Sequence, residues 1–247
     1  MTRPDLSIVL PVYNEEQVLD ATFEVLIPFL EGLDRTFEVI CADDGSSDRS
    51  PEILARLAQA DPRIKVETLE QNRGKGAAVK VGVLAATGER VIFMDADLST
   101  PLDEIVPFLG ALDSGYQVVI GNRRAPGSNI TRHQPWIRET LGKGFTVLTR
   151  ILLAPGVHDF TCGFKGFTRE AAQKIFRRST QNGWAFDAEL VVISQELGYR
   201  LAQVPVKWHH EDDTKVKLGA AVFGSLKELS VISLNRARGV YQRDSED

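Results

Sequence analysis

Asp95 and Asp97, two carboxylates two positions apart, follow the apolar run Val91-Ile92-Phe93-Met94, and Ser99 comes two residues later. Four apolar residues in a row mark a buried strand. In extended chain, residues i and i+2 point the same way, so the two acids can share one cation where the strand emerges. Hard oxygen ligands suit Mg²⁺ or Mn²⁺, which take few protein ligands and complete their shells with substrate phosphates. The competing reading is an exposed loop with two solvated acids, and the neighbouring motifs weigh against it.

Asp43-Asp44-Gly45-Ser46-Ser47-Asp48 ends an earlier apolar run. Ser46, Ser47 or Asp48 can cap the helix that follows. Capping does not need two adjacent acids at the strand end, where one carboxylate can bond a base or ribose edge. Asn72-Arg73-Gly74-Lys75-Gly76 opens another helix. Its glycines and cations can cradle phosphate through backbone amides and the positive helix end, with a simple capping turn as the alternative. Pro11-Val12-Tyr13-Asn14-Glu15-Glu16 follows the first strand without a glycine, which argues against a dinucleotide-binding turn. Asp187 and Glu189 stand at the head of a later helix, where Asp187 can equally serve as an N-cap. His209 and His210 beside acids give only a weak zinc pattern.

These residues need strands to deliver them. The pattern predicts strands at Leu6–Val12, Thr36–Ala42, Ile64–Leu69, Arg90–Met94 and Gln117–Gly121. Helices are expected at Glu15–Leu33, Asp48–Gln59, Lys75–Ala86 and Leu102–Leu112. Such alternation argues an α/β fold, a mainly parallel sheet with helices on both faces. Ligands in such sheets bind beyond the carboxyl ends of the strands, where every motif above falls. After Gly121 come a polar loop, a helix at Pro135–Leu153, a strand-like DFTCGFKGF, helices from Arg169 and Asp187, and a strand at Arg200–Val206. A helix at Lys217–Arg238 and a frayed tail, YQRDSED, complete the chain. The expected organisation is one domain, 1–243, whose rhythm changes between a first half at 1–121 and a second at 122–243, with a tail at 244–247.

The net charge of -5 argues against a nucleic-acid binder, which ordinarily carries a basic surplus. Cys41 and Cys162, the only cysteines, follow no disulfide or zinc spacing and read as reduced thiols of a cytosolic protein. No apolar run reaches the roughly 18 residues a membrane span requires. One segment departs from the acidic average. Between Asn122 and Arg150 lie Arg123, Arg124, Arg132, Arg138, Lys143 and Arg150 against Glu139 alone. On a helical wheel Ile137, Leu141, Phe145, Leu148 and Leu152 form an apolar sector opposite the charged residues. Such a helix can lie in a membrane interface or face a core.

LPVYNEE, ADDGSSD, NRGKGAA, FMDADLSTP, GNRR, DFTCGFKGFTREAA and GWAFDAEL, in this order, resemble the family-2 GT-A glycosyltransferases. The resemblance runs to the branch of dolichyl-phosphate glucosyltransferases and dolichol-phosphate mannose synthases. It implies a GT-A fold, Mg²⁺ or Mn²⁺ as cofactor, and a nucleoside pocket at Pro11, Tyr13, Glu15 and Asp44. It also implies Asp95 and Asp97 as metal ligands with Ser99 as a further polar ligand, while Arg73 and Lys75 fall in the phosphate loop. Relatives carry G-S-R where this chain has Gly121-Asn122-Arg123, and G-S-K where it has Asp213-Thr214-Lys215. Arg123 and Lys215 match the basic positions, and the resemblance implies that Asp187 and Glu189 border the acceptor site, with the nucleotide-sugar-binding half at 1–121 and the acceptor-binding half at 122–243.

The implied reaction transfers one hexose from UDP-glucose or GDP-mannose, with inversion, to a polyprenyl phosphate. The implied location is the cytoplasmic face of a membrane, held peripherally, with a membrane-anchored partner subunit as a further possible hold. A phosphate monoester, with a second pKa around 6, attacks without a strong general base, so positioning and electrostatics should dominate. Rival readings are a transferase acting on a soluble sugar or polysaccharide, with Asp187 or Glu189 as base, and a non-catalytic nucleotide-sugar-binding subunit.

Overall fold

The computed structural model describes residues 3–125, 149, 153–183, 185–208 and 218–242. The Lys215 segment, His209, His210, Trp184 and nearly all of the expected helix at Pro135–Leu153 lie outside these residues.

The first half alternates as its pattern predicts: β1 (Leu6–Val12), α1 (Leu19–Glu31), β2 (Phe37–Asp43), α2 (Ser50–Ala60), β3 (Ile64–Thr68), α3 (Lys75–Ala85) and β4 (Arg90–Phe93). A single 3₁₀ turn, Leu102–Glu104, leads into α4 (Ile105–Asp113) and β5 (Val118–Asn122). There follow β6 (Lys165–Thr168), α5 (Arg169–Arg178), α6 (Phe186–Glu196), β7 (Leu201–Pro205), α7 (Leu218–Ala237) and a 3₁₀ turn at Val240–Gln242.

The strands form one sheet in the order β3-β2-β1-β4-β6-β5-β7, in which β6 alone runs antiparallel among the described strands. Alternation within β1 builds both faces: Ile8, Leu10 and Val12 join one buried cluster and Val9 the other, as a period of two requires. On the Val9 face α3 approaches closely, since a Cβ at Gly82 would lie 2.5 Å from Val9 Cγ1. Phe93 is packed there by Phe167, Phe176 and Phe186, with ring centroids 6.1–6.4 Å apart.

Register places the chemistry. Phe93, the last residue of β4, pairs with Lys165, the first residue of β6, and Lys165 also pairs with Ile120 near the end of β5. The entrance of β6 therefore meets the exits of β4 and β5.

Three readings depart from the sequence pattern. The strand-like DFTCGFKGF is strand only from Lys165, because Asp159 and Thr161 ahead of it are held by the Arg123 side chain. The first helix begins at Leu19, not Glu15, because residues 14–16 are tied to the β2–α2 loop. The Asn14 N–H donates to Ser46 Oγ (2.9 Å), Glu15 N–H to Ser50 Oγ (2.9 Å) and Glu16 N–H to Asp48 Oδ2 (3.1 Å). The expected fraying of the tail is corrected at Tyr241, which is fully buried and donates to Glu189 at 2.8 Å.

Candidate active site

The β1, β2 and β3 exits form one wall. Both oxygens of Asp44 are occupied, one by the Arg73 N–H and the other by the Gly74 N–H, each at 2.8 Å. Asp44 thus shapes the loop that opens α3, and Gly74 takes a positive φ of 102° there, a conformation glycine adopts without steric cost. Its neighbour Asp43 is buried with Oδ1 accepting from Ser46 N–H at 3.1 Å, while Oδ2 has no partner among the described residues. A buried acceptor without a donor is costly in the empty protein and fits a ligand N–H or O–H. Around it stand Pro11, partly buried, Tyr13, 41% exposed, and the Glu15 backbone bonded to Ser50. The Arg73 side chain points to solvent.

Asp95 and Asp97 emerge from β4 into a turn in which Leu98 has φ 55°. Asp97 Oδ1 accepts both the Ser99 N–H (2.9 Å) and the Ser99 hydroxyl (2.5 Å), and Oδ2 enters no hydrogen bond among the described residues. Lys75, the first residue of α3, is ion-paired with Asp95. A Cβ at Gly163 would lie 2.5 Å from Asp95 Oδ2 and 3.0 Å from Lys75 Nζ, so the backbone before β6 rests on this pair. Burial opposes the charge on Lys75, but Asp95, with Asp187 and Asp97, outweighs it and raises the pKa.

The far wall is built on β6. Lys165 is fully buried, donates to the carbonyls of Cys162 (2.6 Å) and Phe160 (3.1 Å), and is ion-paired with Asp187. Burial pushes the Asp187 carboxyl up, against the pull of Lys165 and Lys75. Arg123 forms a two-pronged pair with buried Asp159 (2.7 and 2.8 Å), donates to Thr161 Oγ1 (2.9 Å) and lies 5.4 Å from the Trp208 ring. Burial acts against ionised Asp159, and Arg123 overcomes it, holding the carboxyl below its usual range. Burial also raises Cys162 to about 11 and Cys41 to about 12, so neither thiol is a nucleophile at neutral pH.

The structure thus brings Lys75, Asp95, Asp97, Asp187 and Arg123 into one electrostatic cluster. It does not place Glu189 there. On a helix, residues two apart lie about 200° around the axis, and Glu189 accepts instead from the Thr180 N–H, the Thr180 hydroxyl, the Gln181 N–H and Tyr241. Asp159 and Lys165 are contributors that the sequence motifs did not single out, and of the adjacent acids Asp43 and Asp44 the resemblance had chosen Asp44. A cation inside the apolar FKGF strand was the available signal for Lys165, because a buried charge requires a partner.

The pair Asp95 and Asp97 suits a divalent cation, since Asp97 offers an oxygen outside its own turn. Among the described residues no cluster of three or more potential ligands exists, so substrate phosphates would have to complete the shell, as Mg²⁺ and Mn²⁺ sites commonly require.

A mainly parallel sheet gathers carboxylates and a lysine loop at the carboxyl ends of its strands, and the sequence pattern of Glycosyl transferase family 2 matches residues 7–176, which carry Asp43, Lys75, Asp95 and Asp97. The chain belongs to that family. Among its relatives, the human dolichyl-phosphate beta-glucosyltransferase is 32% identical, over 85% of this chain and 69% of that one. The Dictyostelium discoideum enzyme of the same name is 31% identical over 96% and 76%. Glycosyltransferase AglD of Haloferax volcanii is 34% identical over 89% of this chain, which spans 35% of that longer protein. Glucosyl-3-phosphoglycerate synthase of Mycobacterium tuberculosis, solved with Mn²⁺, UDP and phosphoglyceric acid, superposes with a TM-score of 0.69 at 26% identity, covering 93% of this chain and 78% of that one.

Proposed function

We propose that this chain transfers glucose from UDP-glucose to a polyprenyl phosphate, with inversion, giving a β-linked polyprenyl-phosphate sugar. The observation that carries this reading is the commitment of both candidate bases: Asp187 is paired with Lys165, and Glu189 receives four hydrogen bonds away from the site. A hydroxyl acceptor would need a carboxylate base, and of the two only Asp187 Oδ2, beside the oxygen paired with Lys165, is available among the described residues. An ionised phosphate oxygen needs none, and can attack the anomeric carbon directly while the bond to UDP breaks and UDP leaves with the electron pair. Glucose and UDP are favoured over mannose and GDP by the glucosyl names of the relatives and the UDP complex of the structural neighbour.

Asp97, with Asp95 beside it, would hold Mg²⁺ or Mn²⁺, whose positive charge offsets that building on the leaving diphosphate. Lys75 stands at the start of α3, where the helix end adds its own positive potential. Asp43 offers its unpaired oxygen to the base or ribose. Arg123 anchors the 159–161 segment, and Lys215 is assigned to acceptor phosphate by resemblance alone.

No helix among the described residues is long and apolar enough to cross a membrane. A polyprenyl tail leaves the bilayer at about 0.8 kcal/mol per exposed CH₂, so the enzyme must come to the phosphate. The basic segment at 122–150 supports attachment at an anionic, cytoplasmic surface, with or without an anchored partner.

The test supplies UDP-glucose and Mn²⁺ with polyprenyl phosphate, polyprenol or phosphoglyceric acid as acceptor. Glucosylation of the polyprenyl phosphate alone is expected. Transfer to polyprenol, or only to the soluble acid, would overturn the assignment.

A further inference from the structure

Residues 180–183 and Ala185 lie between α5 and α6, and three elements close on them. From α3, the Gly76 N–H donates to the Asn182 carbonyl at 2.9 Å. A Cβ at Gly74 would lie 2.6 Å from that carbonyl oxygen, and one at Gly76 would lie 2.8 Å from Phe186 Cβ. The two glycines of the lysine loop therefore let α3 sit directly on this segment. From α6, Glu189 holds the Thr180 and Gln181 amides at 2.8 Å. From α7, Glu228 Oε2 accepts the Ala185 N–H at 2.8 Å.

Glu228 occupies a space kept open for it. A Cβ on Gly183 would fall 2.0 Å from Glu228 Oε1. Its carboxylate meets the amide just before α6, where negative charge is favoured by the helix dipole, and Asp187 follows two residues later. Eight residues along α7, Arg236 donates to Glu196 at 2.7 Å and to the Leu153 carbonyl at 2.6 Å. The C-terminal helix thus grips α6 at both ends.

We propose that Glu228 is a positioning residue for glycosyl transfer: it fixes the chain at Gly183 and Ala185 and thereby sets Asp187 on one side and the Lys75–Gly76 loop on the other. The proposal rests on the glycosyl-transfer reading above and makes α7 part of the frame of the donor site.

The test uses the full chain with UDP-glucose, Mn²⁺ and polyprenyl phosphate, comparing Glu228→Ala, Glu228→Gln, Gly183→Ala and the Glu228→Ala/Gly183→Ala double variant. Glutamine keeps an acceptor for the Ala185 N–H. Alanine at 183 displaces the flexible carboxylate and leaves the backbone in place. Glu228→Ala and Gly183→Ala should each lower kcat about tenfold or more, the size of one lost charge-assisted hydrogen bond. The double variant should be no worse than either single one, Glu228→Gln should restore most of the rate, and faster hydrogen exchange should be confined to 180–187 and 74–78. A kcat within about twofold of wild type in Glu228→Ala, or a loss that glutamine fails to restore and that tracks a general fall in Tm, overturns the proposal. If wild type moves no sugar to polyprenyl phosphate, the functional reading fails separately. The clamp is then judged by hydrogen exchange and by UDP-glucose affinity in calorimetry, and unchanged values in Glu228→Ala overturn it.

Discussion

Lys165 and Asp187 face each other across the junction of β6 and α6 as an ion pair, with side chains 0% and 7% exposed. Each offsets the other's charge, with the Phe160 and Cys162 carbonyls as further partners of Lys165 and Lys75 as a second cation near Asp187. Lys165→Met should therefore cost about 3–5 kcal/mol of stability, because it strands a buried carboxylate. Urea unfolding of the variant measures this. An unchanged midpoint would show that Asp187 finds another partner or is protonated at no cost.

Asp97→Asn should abolish most turnover with little change in Tm, since the carboxylate sits at a strand exit and belongs to no core. Ser99→Ala, which removes the 2.5 Å hydroxyl contact to Asp97, should lower kcat/KM by a smaller factor, on the order of tenfold. Wild-type rates in excess EDTA, or full activity of Asp97→Asn, would remove the metal from this position.

Asp43 tests the donor pocket. Asp43→Ala should raise the KM for UDP-glucose by about tenfold or more while kcat changes less, the pattern of lost uniform binding. Asp44→Ala should instead disturb the Arg73–Gly74 loop and lower kcat and stability together. Steady-state kinetics of the two variants side by side separates a ligand contact from a loop anchor.

Asp159 gives a pH signature. Its folded pKa lies below the unfolded value of about 4, so its contribution is fully present above that value and is lost as pH falls through the lower folded one. Asp187, whose carboxyl is pushed up, acts oppositely, and its contribution is lost as pH rises through the raised value. In Asp159→Asn the stability curve below about pH 4 should be flatter than in wild type. Acid titration followed by circular dichroism checks it, and superimposable curves would refute the assignment.

The strands were legible because their period is short and their exits carry turn residues: β1 is observed as Leu6–Val12, and the first five strands begin or end within a residue of expectation. What pattern could not supply was partnership between distant segments. The delayed start of α1 depends on Ser46, Asp48 and Ser50, more than thirty residues away. Tyr241 looked like tail because its partner, Glu189, lies 52 positions earlier. Asp44 matched a pocket motif, yet its oxygens serve the α3 loop, and the acceptor without a donor belongs to Asp43. Two adjacent acids are indistinguishable in sequence, and here both are buried, so only the backbone amides around them decide which keeps an open oxygen.

The antiparallel course of β6 has a consequence for what can vary. Asn122 ends β5 and Asp159 precedes β6, and the chain at these two points is tied together by Arg123 and Asp159 at 2.7 Å. This tie holds the exit of β5 against the approach to β6, whose backbone at Gly163 rests on Asp95 and Lys75. Substitutions that spare the buried pair should leave the meeting of the two strands unchanged, whereas loss of Asp159 should release both strand ends together.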